Sequence, residues 1–219
     1  MNKIKISLVL NAVITLLVIL GCVIMFAGWS FTGSSPILEA RSFNMFKYYT
    51  VDSNVLVALS SIVFIIYESL LLNKKIKKIP NGVYIFKHIG TVGVVLTFLV
   101  TLLFLAPTVD SGFLSLYRNS NLFFHLIVPI LSFVSYVFFE KYPTKLRYAL
   151  VGMSSMVVYM IFYFINVIVH YNGVVERKYD IYNFLRGNLI NAVYVIPIML
   201  IVTYALSYFL MDLNKKLLK

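Results

Sequence analysis

The chain has 219 residues, of which 61% are hydrophobic, and its mean hydropathy is +0.91. Because only 12% of the residues are charged, one soluble core could not enclose so much apolar surface, and the composition excludes an ordinary soluble domain. The net charge of +11 does not indicate a nucleic-acid partner, since most basic residues lie in short segments between apolar stretches and report membrane topology. The single cysteine, Cys22, excludes a disulfide framework within the chain.

Six apolar stretches are long enough to cross the hydrocarbon layer as helices, which takes about 20 residues each. A transmembrane β-barrel would instead show segments of about 10 residues that alternate in polarity, and no such alternation occurs. The first stretch is longer than the core of a cleavable signal peptide, so we expect a retained span. The sequence therefore predicts an all-α polytopic membrane protein with one domain over residues 1–219 and helices at about 4–28, 46–72, 84–106, 121–139, 147–170 and 188–211.

Lysine and arginine are distributed unequally between the two sides of these predicted spans. Thirteen of the 19 basic residues fall on the side of the two termini, and six fall on the other side. Since short cytoplasmic loops hold the excess of positive charge, we expect both termini in the cytoplasm. The loops 29–45, 108–120 and 171–187 are then extracytoplasmic.

A polar patch opens the second predicted helix, within residues 46–54. Helical spacing places Thr50, Ser53 and Asn54 on one face. Polar side chains inside a membrane helix are costly and point into the bundle, where they mark substrate or ion sites. The patch is therefore the first candidate for a functional site.

A histidine stands near the start of the fourth predicted helix. With the second helix beginning near residue 46 and the fourth near residue 121, Thr50 and His125 each lie about one turn below the extracytoplasmic boundary. We therefore expect the two side chains to meet in that half of the membrane. Asn188 and Asn191 lie at the corresponding end of the sixth helix.

Nucleophilic attack on an acyl carbonyl is the chemistry that suits this arrangement. A threonine hydroxyl becomes a good nucleophile when a neighbouring base, most often neutral histidine, removes its proton. The developing oxyanion needs hydrogen-bond donors, and the candidates for these donors or for substrate contacts are Ser53, Asn54, Asn188 and Asn191. Ester groups of lipids lie at about this depth, so the predicted substrate is a membrane lipid or another lipid-like acyl ester.

Other interpretations of the same residues stay open. A threonine in a membrane helix commonly bonds the carbonyl one turn back or joins two helices, and a histidine there can be structural. A small-molecule or ion transporter, or a lipid-binding or assembly subunit, would use the same polar face without catalysis. The sequence contains no glycine-rich phosphate loop, no HExxH motif and no cysteine cluster, so we expect no metal or other cofactor.

Two short motifs resemble those of a known family. Phe46-Lys47-Tyr48-Tyr49-Thr50 followed by Ser53-Asn54, and His125-x-x-x-Pro129, are similar to the motifs of the androgen-induced protein family, which includes the androgen-dependent TFPI-regulating protein and bacterial relatives. The resemblance implies six helices and an intramembrane hydrolase of fatty acid esters of hydroxy fatty acids. It also implies that Thr50 is the nucleophile and His125 its base. From the bacterial relatives we expect the protein in a bacterial plasma membrane.

Overall fold

The computed structural model describes residues 2–32, 40–108, 112–142 and 145–218, and these residues form helices and turns without a strand. Six helices in this part of the chain are long and apolar enough to cross a membrane, which confirms the predicted all-α polytopic membrane fold. They are α1 (Lys3–Ala27), α2 (Tyr49–Leu72), α3 (Asn81–Leu105), α4 (Ser120–Phe138), α5 (Leu146–Val169) and α6 (Leu189–Leu217).

The second helix begins three residues later than predicted. Ser42–Lys47 form a separate 3-10 helix, and Tyr48 has extended backbone angles of φ −99° and ψ 127° that interrupt the helical path. Thr50 is therefore the second residue of α2, whereas His125 is the sixth residue of α4. The expectation of equal depth, which assumed a helix start near residue 46, does not follow from these boundaries.

The sixth helix ends later than predicted, because its last turns are held inside the bundle. Asn214 is 1% exposed, and its side-chain amide donates hydrogen bonds of 2.6 Å to the carbonyls of Tyr136 and Glu140. A polar residue near the end of a membrane helix is stable where such buried carbonyls accept its protons. Helix α6 consequently continues to Leu217 instead of ending at residue 211.

Two of the membrane helices contain a π-helical turn. In α3 this turn is Thr101–Leu105, and in α4 it is Phe123–Ile127, which includes His125. A π-turn adds a residue to the helical repeat, frees backbone groups from regular bonding and is often found at functional sites. Neither turn is visible in the hydropathy pattern.

Helix α2 packs between α1 and α3, and α3 is the central helix of the bundle, in contact with α2, α4, α5 and α6. Small residues let α2 and α3 approach closely, and a Cβ atom built on Gly90 would lie 2.8 Å from the Cα atom of Val57. A hydrogen bond of 3.1 Å between the hydroxyls of Ser53 and Thr97 joins the same two helices. Helices α5 and α6 pack on the other face of α3.

The two ends of the bundle differ in what they hold. At one end, which we call the terminal end, Asn11 of α1 and Asn214 of α6 both bond to Glu140, so the two chain termini lie there. The opposite end, which we call the loop end, holds the start of α2 and the segment between α5 and α6. The candidate residues of the sequence prediction lie toward the loop end.

Candidate active site

Thr50 lies against a narrow internal pocket at the loop end. Its side chain is 4% exposed, and it lines a space of about 30 Å³ together with Tyr159, Tyr182 and apolar residues of α3 and α5. This volume holds about one water molecule. The threonine is therefore inside the protein, in a space that is too small for a substrate until a neighbouring side chain moves.

The backbone beside Thr50 offers hydrogen-bond donors. The N–H groups of Val51 and Asp52 donate to the carbonyl of Tyr48, and α2 has no side-chain cap. The N–H groups of Tyr49 and Thr50 donate to no backbone carbonyl among the described residues, and they face the hydroxyl of Tyr182. The free N–H groups of a first helical turn carry partial positive charge and bind anions, so they are suited to stabilise an oxyanion formed next to Thr50.

Tyr182 is a site residue that the sequence reasoning missed. Its hydroxyl faces the side chains of Thr50 and Tyr159 and the backbone N–H groups of Tyr49 and Thr50, although none of these contacts meets the geometric limits of a hydrogen bond. Burial raises the pKa of Tyr182 to about 12, so the phenol keeps its proton at neutral pH and can donate it to a hydrogen bond. Because Tyr182 lies in the segment between two spans, neither periodicity nor a motif could link it to Thr50.

His125 is fully buried, and its hydrogen bonding defines its tautomer. Its Nδ1 atom lies 2.8 Å from the carbonyl oxygen of Leu116. Since a carbonyl can only accept a hydrogen bond, this contact assigns the proton to Nδ1. The Nε2 atom then carries the lone pair, and it has no partner among the described residues. This is the tautomer that a general base requires.

Thr50 and His125 make no direct hydrogen bond, because Nδ1 of the histidine is bonded to Leu116 and Nε2 has no partner. Their helices are nevertheless in contact at this level. The side-chain amide of Asn54 donates to the carbonyl of Thr50 at 2.7 Å and to the carbonyl of Phe124, the neighbour of His125, at 3.2 Å. Asn54 thus ties the start of α2 to the π-turn of α4.

The amide donors of Asn54 are both used in these two bonds, which leaves none for an oxyanion. Ser53 donates to the carbonyl of Thr50 at 3.1 Å and pairs with Thr97. Both residues therefore lie beside Thr50. Asn54 links α2 to α4, and Ser53 lines the wall of an adjoining cavity.

Asn188 and Asn191 are not among the residues that line the Thr50 pocket. Asn188 accepts a hydrogen bond of 3.0 Å from the N–H group of Ile190 and caps the first turn of α6. Asn191 donates to the carbonyl of Leu185 at 2.8 Å. These bonds give both side chains a structural role at the start of α6.

A cavity of about 890 Å³ lies next to the Thr50 pocket, between α2, α3, α5 and the segment that follows α5. Its walls combine apolar side chains with Asp52, Ser53 and, from the loop end, Lys47 and Lys178. The volume is in the range of ligand-binding cavities. Tyr49 and Tyr159 line both spaces and form the boundary between them.

Hydrogen bonds fix the two boundary tyrosines. The hydroxyl of Tyr49 lies 3.0 Å from that of Ser155 on α5, and the hydroxyl of Tyr159 donates to the carbonyl of Lys47 at 3.0 Å. The aromatic boundary therefore joins α2 to α5, and opening it requires a movement of one of these rings.

A buried carboxylate organises the segment that carries Tyr182. Asp180 is 1% exposed and accepts hydrogen bonds from the N–H groups of Phe184, Leu185 and Arg186 at 2.9, 2.9 and 3.1 Å. The hydroxyl of Tyr163 on α5 donates to the same carboxylate. Asp180 thus folds the chain around itself and holds Tyr182 over Thr50.

We expect Asp180→Ala to loosen this segment, because it leaves three N–H groups without an acceptor. Hydrogen bonds to charged groups contribute roughly 1.5–3 kcal/mol each, so amide hydrogen exchange at residues 184–186 should accelerate at least about 10-fold. Exchange followed by mass spectrometry measures this. The control is Glu176→Ala, which removes an exposed ion pair with Lys178 in the same segment and should leave the exchange at residues 184–186 unchanged. Equal rates in the two variants would contradict the role of Asp180.

The described residues contain no group of three or more His, Cys, Asp or Glu side chains that could hold a metal ion.

Comparison of the sequence and structure with protein-family models, curated proteins and solved structures found no match. The class that the fold defines is therefore a six-helix polytopic membrane protein, and the resemblance at the two motifs stays a prediction.

Proposed function

We propose that the protein is an intramembrane hydrolase of lipid-like acyl esters, with Thr50 as nucleophile and His125 as general base. The observation that carries the proposal is the tautomer of His125, whose Nε2 lone pair is buried and unpartnered on a helix in contact with the start of α2. His88 also has one buried ring nitrogen without a partner among the described residues, but only the π-turn of His125 is joined to Thr50, through the two hydrogen bonds of Asn54. This link to the start of α2 singles out His125 as the base.

In the first half of the proposed reaction the Thr50 hydroxyl oxygen bonds to the ester carbonyl carbon while His125 Nε2 takes the hydroxyl proton. The carbonyl oxygen becomes an oxyanion, and its proposed donors are the Tyr182 hydroxyl and the N–H groups of Tyr49 and Thr50, from which the Tyr182 oxygen must first move away. The bond from carbon to the leaving oxygen then breaks. The alcohol leaves with the proton from His125, and the acyl group stays on Thr50.

In the second half, water takes the place of the alcohol. His125 removes a proton from the water, the hydroxide oxygen adds to the acyl carbon, and the bond to Thr50 breaks. The carboxylic acid leaves, and the proton returns to the Thr50 oxygen. The absence of a direct bond between Thr50 and His125 is compatible with this sequence, because catalytic hydrogen bonds often tighten only when the substrate binds.

The cavity beside the pocket supports a lipid-like substrate. It is walled by side chains such as Leu56, Phe86 and Val158 and has polar groups toward the loop end, as an acyl chain with a polar group requires. The resemblance to the androgen-induced protein family suggests a fatty acid ester of a hydroxy fatty acid. We place the site in the extracytoplasmic half of a bacterial plasma membrane, with both termini in the cytoplasm, on the basis of the charge distribution and that resemblance.

Labelling with a fluorophosphonate probe tests the proposal. The probe phosphonylates an activated hydroxyl as fluoride leaves, so we expect the intact mass to rise by one adduct and peptide mapping to place it on Thr50. Thr50→Ala should lose the adduct, and Thr50→Ser should keep it. The control Thr91→Ala removes another fully buried threonine hydroxyl, one without a hydrogen-bond partner, and should label normally. An adduct that persists in Thr50→Ala would remove Thr50 as nucleophile and favour the transporter or lipid-binding alternatives.

A further inference from the structure

The terminal end of the bundle encloses three ionisable side chains that the proposed hydrolase does not use. Glu68 of α2 is 3% exposed, Lys87 of α3 is 0% exposed and Glu140, which follows α4, is 2% exposed. Glu68 lies about 27 Å along α2 from Thr50, at about 1.5 Å per residue. Buried charged residues in a membrane protein are costly and are the usual mark of a functional site.

Glu140 has its hydrogen bonds satisfied. One carboxylate oxygen accepts from Ser135 at 2.6 Å and from Asn11 at 2.9 Å, and the other accepts from the hydroxyl of Tyr142. Three donors to one carboxylate stabilise a negative charge away from water. Glu140 is therefore a fixed member of the cluster.

Lys87 supplies the single positive charge of the cluster. Its Nζ atom donates to the hydroxyl of Ser61 at 2.6 Å and lies within electrostatic range of both Glu68 and Glu140. It forms no salt bridge within 4.0 Å in the part of the chain that the structure describes. One amino group faces two carboxyl groups, so the cluster has a net charge of −1 when all three groups are ionised.

Glu68 is the carboxyl group of the cluster whose negative charge has no partner. Its Oε2 atom is buried without a hydrogen-bond partner among the described residues, and the same is true of the side-chain oxygen of Asn11. Both side chains adjoin Ser7, since Glu68 faces its hydroxyl and Asn11 donates to that hydroxyl at 3.2 Å. A cation or a proton would satisfy the Glu68 oxygen and the Asn11 oxygen, because a buried acceptor without a partner costs several kcal/mol.

The groups that face the Glu68 carboxyl come from three other parts of the bundle. Ser7 lies on α1, where Asn11 bonds to it, Lys87 and Tyr84 lie on α3, and Glu140 follows α4. Among these, only Lys87 carries positive charge, and Glu140 adds negative charge. The surroundings therefore favour the uptake of one positive charge at Glu68.

We propose that Glu68, with Asn11 beside it, is a binding site for one monovalent cation, either a proton or Na⁺. A bound proton gives the Oε2 atom of Glu68 a hydrogen to donate, and the Asn11 oxygen is an acceptor in the same cluster. A bound Na⁺ uses the same oxygens as ligands, as hard cations prefer. The proposal is independent of the hydrolase, whose residues lie at the opposite end of α2.

Thermal unfolding of the purified protein in detergent, followed by helical circular dichroism, tests the site. The unmodified protein is measured at pH 6 and pH 8, in NaCl and in choline chloride of equal ionic strength. A ligand that binds only the folded state at about ten times its Kd should raise Tm by roughly 3–6 °C. Glu68→Gln, which keeps the shape without the charge, should remove this response.

The arms of the experiment distinguish the two cations. A higher Tm in NaCl than in choline chloride at pH 8 identifies Na⁺, and a higher Tm at pH 6 than at pH 8 in choline chloride identifies the proton. Asp212→Asn, which removes a partly exposed acid that pairs with Lys216 on α6, controls for general charge effects and should respond as the unmodified protein does. If Glu68→Gln does not fold, Glu68→Asp, which keeps the carboxyl group, replaces it and should show a weakened response.

The proposal is wrong if the unmodified protein responds to neither Na⁺ nor pH. It is equally wrong if Glu68→Gln responds as strongly as the unmodified protein, because the cation would then bind elsewhere. Neither outcome bears on the labelling of Thr50, so failure of the cation site and failure of the hydrolase are separate results.

Discussion

Replacing His125 with alanine should lower kcat/KM for acyl-ester hydrolysis by about 10²–10⁴-fold, the usual contribution of a general base. The histidine has its Nδ1 proton held by Leu116 and its Nε2 lone pair free, so its removal takes away the only proposed acceptor for the Thr50 proton. Thr50→Ala should abolish the acyl-enzyme route entirely. Hydrolysis of a chromogenic acyl ester by the purified variants measures both effects.

Matched variants separate catalysis from folding in this experiment. His88→Ala removes the other deeply buried histidine of the bundle, which bonds to Ser207 at 2.8 Å and lies outside the proposed machinery. Its rate should stay within a few-fold of the unmodified protein, provided that circular dichroism shows a folded helical bundle. Equal losses in His88→Ala and His125→Ala would mean that the histidines act through stability alone, and the assignment of a base would fail.

Gly90→Ala should be among the most destabilising single substitutions in the bundle. A Cβ atom at this position would lie 2.8 Å from the Cα atom of Val57 and 2.8 Å from the hydroxyl oxygen of Ser60. The first of these neighbours is backbone, so the clash is relieved only if α2 and α3 move apart. Overpacking of this kind costs roughly 1–3 kcal/mol, which corresponds to a fall in Tm of about 3–10 °C.

The same helix offers a control for this prediction. Gly82 is in the first turn of α3, and a Cβ atom there would meet nothing within 4 Å. Gly82→Ala should be neutral or slightly stabilising, because alanine has a higher helix propensity than glycine. A comparable fall in Tm for both variants would show that the contact between α2 and α3 is not the cause. Thermal unfolding in detergent compares them directly.

For Thr50, helical periodicity predicted the buried face but not the residue at which the helix begins. The polar patch at residues 46–54 correctly indicated a buried face, because Thr50, Ser53 and Asn54 share a helical side and are all buried. The start of the helix was predicted three residues early, since nothing in an aromatic-rich stretch indicates that Tyr48 is extended. That single break places Thr50 in the first turn of α2, beside N–H groups that donate to no backbone carbonyl among the described residues.

The sequence by itself determined the membrane class, the number of spans and the buried polar face of α2, because hydrophobic length and the 3.6-residue period are local properties. Only the tertiary structure decided that Tyr182 borders Thr50, that Leu116 defines the His125 tautomer, and that Asn188 serves as a helix cap. It also brought Glu68, Lys87 and Glu140 together from three separate parts of the chain. These arrangements depend on which helices pack together and on irregular segments such as the π-turns, neither of which is encoded in a local pattern.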